Sequence, residues 1–158
     1  MSEARYTRVR AGDVEGFQHG QDDYWFRPLV FGQSLFTYLA YVPPGGSMPP
    51  HGHEEDPYEL SFFMVAGELD VTLEADTFRA LPGDAVHVQP TVSLGVRNPT
   101  PVTAVFLLTF NPPPPIGSLE KLRERYAARG VGIRPAARMD ALWRPGDSGP
   151  GRASGGKG

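Results

Sequence analysis

Two histidines separated by a single glycine, His51-Gly52-His53, carry the strongest chemical signal in this sequence. They follow the Gly/Pro-rich turn Gly45-Gly46-Ser47-Met48-Pro49-Pro50 and precede the acidic run Glu54-Glu55-Asp56. In an extended segment side chains two residues apart project to the same face, so the two imidazoles would converge on one point. Convergent imidazoles suit a borderline divalent metal ion. A His-x-His pair on a surface strand can equally be two solvated polar residues, so the surrounding residues must decide. The chain has no cysteine, which removes disulfides, thiolate ligands and cysteine nucleophiles together. A metal site would have to be built from histidine, carboxylate and water.

The elements that must position this pair read as short strands. The chain has 158 residues, 40% hydrophobic and 21% charged, enough for one domain with a real core and unlike a disordered chain or a coiled coil. Its 19 glycines and 17 prolines fall as punctuation between apolar runs from residue 28 to residue 115, the pattern of an all-β chain with tight turns. Strands are expected at Pro28 to Phe31, Ser34 to Val42, Leu60 to Val65, Leu69 to Leu73, Thr77 to Ala80, Ala85 to Val88, Val92 to Val96 and Val102 to Phe110. Ala66-Gly67-Glu68 reads as a hairpin turn. Some eight short strands make a sandwich or a barrel. After Pro112 to Pro115 the pattern changes: Ser118 can cap a helix, Leu119, Leu122 and Tyr126 recur at helical spacing, and Gly130 can end it. One C-terminal helix packed on the outside of the barrel is expected. The organisation expected is an N-terminal extension over 1–25, a barrel over 26–112, a Pro-rich turn and helix over 113–144, and a disordered tail over 145–158.

Taken together, these residues resemble the cupins, and in particular small single-domain cupins. The first cupin motif runs glycine, five residues, His-x-His, three or four residues, glutamate, six residues, glycine, and Gly45, His51, His53, Glu59 and Gly67 follow that order. The second motif is closer still: Gly83, Asp84, Pro90 and Asn98 stand in register, and fifteen residues separate Gly67 from Gly83. The fold implied is an all-β double-stranded β-helix, or jelly roll, with one C-terminal α-helix. Many members hold iron, manganese, nickel or zinc through the two histidines and glutamate of the first motif and a histidine of the second. Here Leu94 stands at the second-motif histidine position.

The resemblance implies His51, His53 and Glu59 as metal ligands, with Fe(II) favoured and Mn, Ni or Zn as alternatives. Glu59 sits out of the usual spacing, with five residues after His53 and seven before Gly67. Regular alternation puts Leu60 and Tyr58 on the interior face and Glu59 on the opposite one, whereas a β-bulge between Glu59 and Gly67 would return Glu59 to the interior. Candidates for contacting a substrate are Tyr58, as pocket wall, His87, as the missing ligand or a general base, and Arg27, which with Arg97 could meet an anionic ligand or form a structural ion pair. His87 shares a strand face with Ala85 and Gln89, inward or outward. His19 lies outside both motifs and reads as ordinary surface.

The function implied is that of a metal-binding small-molecule enzyme of the dioxygenase, isomerase or lyase class; the alternative is a metal-free cupin that holds a small ligand in a dry barrel pocket. A net charge of −3, with no basic block, argues against nucleic acid as a partner. The polar N-terminus and the lack of a long apolar run argue against a signal peptide or membrane span, so a cytoplasmic protein is expected. The resemblance also implies a homodimer. No Gly-x-Gly-x-x-Gly, Gly-Lys-Ser/Thr or Gly-x-Ser-x-Gly motif is present, so hydride transfer, phosphoryl transfer and serine hydrolysis have no support.

Overall fold

A computed structural model of the protein describes residues 5–51, 58–130 and 132–143, with the backbone alone at His51. His53, the acidic run behind it and the expected tail over 145–158 lie outside the described residues. The elements in chain order are a 3₁₀ turn at Ala11–Asp13, β1 (Gly16–Gln18), β2 (Trp25–Phe31), β3 (Phe36–Val42), β4 (Ser47–His51), β5 (Glu59–Ala66), β6 (Leu69–Leu73), β7 (Asp76–Ala80), β8 (Ala85–Val88), β9 (Leu94–Arg97), β10 (Ala104–Asn111), α1 (Leu119–Arg129), β11 (Ile133–Arg134) and α2 (Ala136–Asp140).

The strands form two antiparallel sheets, one ordered β11-β1-β2-β3-β10-β5-β8 and the other β4-β9-β6-β7. This is the all-β jelly roll expected from the sequence. Alternate residues of β3, β5 and β10, among them Ala40, Phe62, Met64, Phe106 and Leu108, meet Leu69, Val71, Leu94 and Val96 of the small sheet in the main core. Phe62 and Phe106 stack there at 4.2 Å between ring centroids. The other face of the large sheet is also covered: Trp25, Leu39, Tyr41 and Val105 pack on Met139, Leu142 and Trp143. Burial on both faces is why β3 and β10 read as nearly unbroken apolar runs.

The expected hairpin at Ala66-Gly67-Glu68 does not form. β5 pairs with β10 and β8, while β6 pairs with β7 and β9, so the chain crosses between sheets at Gly67. Both strands carry an apolar face, and those faces are buried by packing across the core rather than side by side. Gly67 has φ 71°, and a Cβ there would stand 2.6 Å from the Thr103 carbonyl oxygen. The corner therefore needs glycine twice over, for its dihedral and for the close backbone approach.

Asn98 ties the ends of four strands together. Its fully buried side chain donates to the carbonyls of Val42 (2.8 Å) and Val102 (2.7 Å) and accepts from the Thr100 amide (2.9 Å). Its backbone exchanges two hydrogen bonds with Gly45 and Gly46. In this way the turn leading into β4 is held against the end of β9. Farther along, the β4/β9 register shifts between Met48 and His51, where Pro50 lies against Gly95. Prolines cannot donate to a ladder, and the bulge accommodates them.

The expected helix is α1, capped by the Ser118 hydroxyl, which accepts from the Lys121 amide at 3.1 Å, and ended by Gly130 at φ 73°. A second short helix, α2, was not legible, because its five residues carry one buried apolar side chain, Met139. The segment over 1–25 contributes β1, whose Phe17 is buried and which bridges β2 and β11.

Arg27, a sequence candidate for substrate contact, is wholly buried on the outer side of the large sheet. Its guanidinium donates to the carbonyls of Val14 (2.8 Å) and Ala136 (2.7 Å) and to the Tyr41 hydroxyl (3.0 Å), and pairs with Asp140 at 2.9 Å. One side chain thus joins the N-terminal segment, β2, β3 and α2. Removing it leaves Asp140 and two carbonyls without their partner, so Arg27→Ala is expected to destabilise the fold by about 3 kcal/mol, or roughly 5–10 °C in melting temperature. Differential scanning calorimetry checks this; an unchanged transition would contradict the assignment.

Candidate functional site

A cavity of about 230 Å³ opens between the two sheets. Its wall is built from one parity of each strand: Phe36 and Tyr38 from β3, Met48 from β4, Leu60 from β5, Leu94 from β9, Leu108 and Phe110 from β10. Helix α1 closes one end with Leu122 and Tyr126, so the helix expected on the outside of the barrel is part of the cavity wall. The turn before β2 adds His19 and Tyr24, and the loop before β9 adds Val92 and Thr91, the latter at φ 72°. A β-branched residue is seldom found in that left-handed region.

The polar atoms on this wall are few and mostly phenolic. Tyr24 and Tyr38 are hydrogen-bonded through their hydroxyls at 2.9 Å. Such a pair uses one proton internally and keeps the second for another acceptor. Burial pushes both hydroxyls above the ordinary tyrosine value, most strongly by desolvation. Tyr58 stands edge-on to Phe110 at 5.0 Å, and the Tyr126 ring meets Phe17 and Phe26 edge-on at 5.3 and 5.7 Å. Interlocked rings of this kind make a rigid aromatic surround.

The sequence candidates separate into two groups. Tyr58 lines the cavity, as do Leu60 and Leu94. Glu59 and His87 do not: both side chains are 55% exposed and they pair with each other on the outer face of β5 and β8. A bulge does lie in β5, where Ala66 faces Val105 and Met64 faces Phe106, leaving Val65 as the extra residue. Alternation from Leu60 through Phe62 to Met64 is unbroken below it, so Glu59 stays outward. Ala85 and Gln89 are exposed with His87, which settles the face they share. Arg97 ion-pairs with Asp70 at 3.2 Å on the surface. His51 faces Leu94 across the β4/β9 ladder.

Among the described residues no group of three or more histidines, aspartates and glutamates stands close enough to hold a metal ion. Leu94 is buried in the cavity wall and Glu59 stands outside it, so neither supplies a metal ligand to the cavity, while the His51 side chain and His53 lie outside the described residues. What sequence reasoning missed is His19, Tyr24 and Tyr126. Tyr24 shares the parity of Phe26 along β2 and so carried a weak signal, whereas His19 reaches the wall only because a loop closes.

The family model for the cupin domain matches residues 38–110. The chain belongs to the cupin superfamily. Solved cupin-fold structures align over most of it. The polyketide cyclase RemF from Streptomyces resistomycificus is 20% identical, with 82% of this chain and 84% of that chain covered and a TM-score of 0.60. A predicted oxalate decarboxylase from Thermotoga maritima is 16% identical, covering 66% and 98%, with a TM-score of 0.59. An RmlC-like cupin from Shewanella frigidimarina is 21% identical, covering 70% and 92%, with a TM-score of 0.58. At these identities the likeness is one of fold. Among curated proteins none matches the chain. No described helix of this cupin is long and apolar enough to cross a membrane.

The raised tyrosines set a pH dependence. The unfolded chain ionises these phenols near the ordinary value of 10.0 while the folded cupin keeps them protonated. Their contribution is therefore complete below about pH 10 and is lost as pH rises beyond it. Chemical denaturation at pH 9 and pH 11 should show this loss. Tyr24→Phe/Tyr38→Phe should flatten it, and an equal decline in the double variant would refute the assignment.

Proposed function

We propose that this cupin takes a small aromatic molecule, one or two rings bearing an oxygen acceptor, into the barrel cavity. The observation that carries the reading is the wall itself: rings and aliphatic side chains surround the space, and the buried polar atoms are the hydroxyls of Tyr24 and Tyr38. An apolar wall with a few convergent polar groups is the usual form of a small-molecule site. A cavity of roughly 150 Å³ takes benzene, so about 230 Å³ has room for a substituted or fused ring. A carbohydrate would leave its hydroxyls without partners on such a surface.

Calorimetric titration with three probes tests this reading. The aromatic ketone 2-tetralone is expected to bind, tetralin, which lacks the oxygen, about tenfold more weakly, and glucose not at all. Leu94→Trp, which fills the cavity, should abolish binding. Preference for glucose, or ketone binding that survives Leu94→Trp, would defeat the proposal.

A second reading keeps His51 and His53 as a metal pair. It is favoured by the ladder register, in which His51 lies across from the cavity-lining residue Leu94. Metal analysis after growth with iron, manganese, nickel and zinc decides it. Near-stoichiometric metal that disappears in His51→Ala and His53→Ala supports the pair, and a metal-free wild-type protein ends it.

A further inference from the structure

The connection between β8 and β9, residues 89–93, carries the chain from the large sheet to the small one beside the cavity. Its two ends are pinned in ladders: Val88 lies opposite Leu60 of β5, and Leu94 lies opposite both Leu73 of β6 and His51 of β4. Between these anchors the Val92 amide reaches the Gln89 carbonyl at 3.4 Å, longer than an ordinary backbone hydrogen bond. Thr91 is exposed and also lines the cavity, so it stands where the cavity meets solvent, with half-buried Val92 beside it in the wall. Backbone strain gathers at this loop and at the turn that grips it. Among the described residues the non-glycine residues with positive φ are Thr91, at 72°, and Glu74, at 55°. Glu74 opens the two-residue turn between the paired Leu73 and Asp76, a place where positive φ selects glycine, asparagine or aspartate. What a glutamate adds there is reach. Its Oε2 accepts from the Ser93 amide at 2.8 Å, while its own amide donates to the Ser93 carbonyl at 3.0 Å. The two strained residues therefore meet at one place, Glu74 holding Ser93 and Thr91 lying two residues away.

We infer that residues 89–93 are a door to the cavity and that the Glu74 carboxylate is its latch: ligand enters and leaves when Ser93 is released and the backbone at Thr91 relaxes. The inference rests on the aromatic-ligand reading of the cavity and adds control of access to it. Strained residues held in place by added contacts are found at ligand clamps and switches, where letting go of the contact also relieves the strain. The closed door is held by one charge-assisted hydrogen bond and one backbone hydrogen bond, both on Ser93. Glu74 is exposed and does not line the cavity, so the latch is the same bond whether the cavity is empty or filled. Weakening it raises the open fraction equally in both states. Entry and exit then accelerate by the same factor, and affinity is unchanged. A residue that only shaped the wall would change affinity instead.

The test measures the exit rate of 2-tetralone by NMR line broadening and its Kd by calorimetry, the entry rate being exit rate divided by Kd. Glu74→Ala should raise both rates about tenfold at unchanged Kd. Glu74→Gln, which keeps an acceptor oxygen without the charge, should fall between wild type and Glu74→Ala. The opposite change is available because the chain has no cysteine of its own. In Glu74→Cys/Ser93→Cys the backbone hydrogen bond keeps the pair close enough to bridge, so the oxidised double variant should slow entry and exit together, and dithiothreitol should reverse the effect, which loss of folding would not produce. Unchanged rates in Glu74→Ala, unchanged rates in the oxidised double variant, or a faster exit matched by weaker affinity overturns the inference and leaves the cavity reading standing. Failure of the wild-type protein to bind the ketone overturns both.

Discussion

Strict alternation of side chains along antiparallel strands is the constraint on which this structure depends. Because the two sheets press their inner faces together and the outer face of the large sheet is covered as well, a residue's parity decides whether it meets the main core, the second core or solvent. Leu60, Phe62 and Met64 fall on the inner side of β5, and Glu59 therefore cannot. The same rule sends Arg27 away from the cavity and Phe26 toward it. Changing sides takes a bulge, and the one in β5, at Val65, lies between Met64 and Ala66, too far along the strand to affect Glu59.

The cavity inherits its chemistry from this arithmetic. Inner-face positions of strands that were selected to be apolar surround it, so the polarity left inside comes from hydroxyls at the tips of rings. A phenol is well suited to such a place, since its ring is buried at no cost in hydrogen bonds and its tip can reach a partner. Tyr24 and Tyr38 satisfy each other across the β2/β3 side of the wall, and burial keeps them neutral. The wall of the cavity is thus mostly carbon.

The chain segments outside the central cupin motifs complete it. α1 brings Leu122 and Tyr126 to one end of the cavity, and the β1–β2 loop brings His19 to its wall. Both depend on long-range anchors. Arg27 clasps the N-terminal segment to α2, and β1 lies between β2 and β11, so residues from the two ends of the chain are fixed side by side. The cupin barrel alone would leave this cavity without part of its wall.

By itself the sequence determined the strand positions of β2, β3 and β5 to β10, though not β4, whose first residues read as a Gly/Pro-rich turn, together with the capped helix at Ser118 to Gly130, the absence of thiol chemistry and the superfamily. Each of these is a local pattern of alternation, turn residues or motif spacing, readable within a few residues. The second-motif position of Leu94 was legible for the same reason, and it lies where the cavity needs an apolar residue. Tertiary structure decided the rest. The turn at Gly67 became a crossing between sheets because the apolar faces of β5 and β6 had to meet across the core, a long-range demand that no window of residues contains. Whether Glu59 faced in or out hung on where one extra residue was absorbed, and His19, surface-like in sequence, reached the cavity wall because the loop from β1 folds back on Tyr24. Pairing partners, bulge positions and loop closure are set by contacts between distant segments, and those contacts decided which side chains share the cavity.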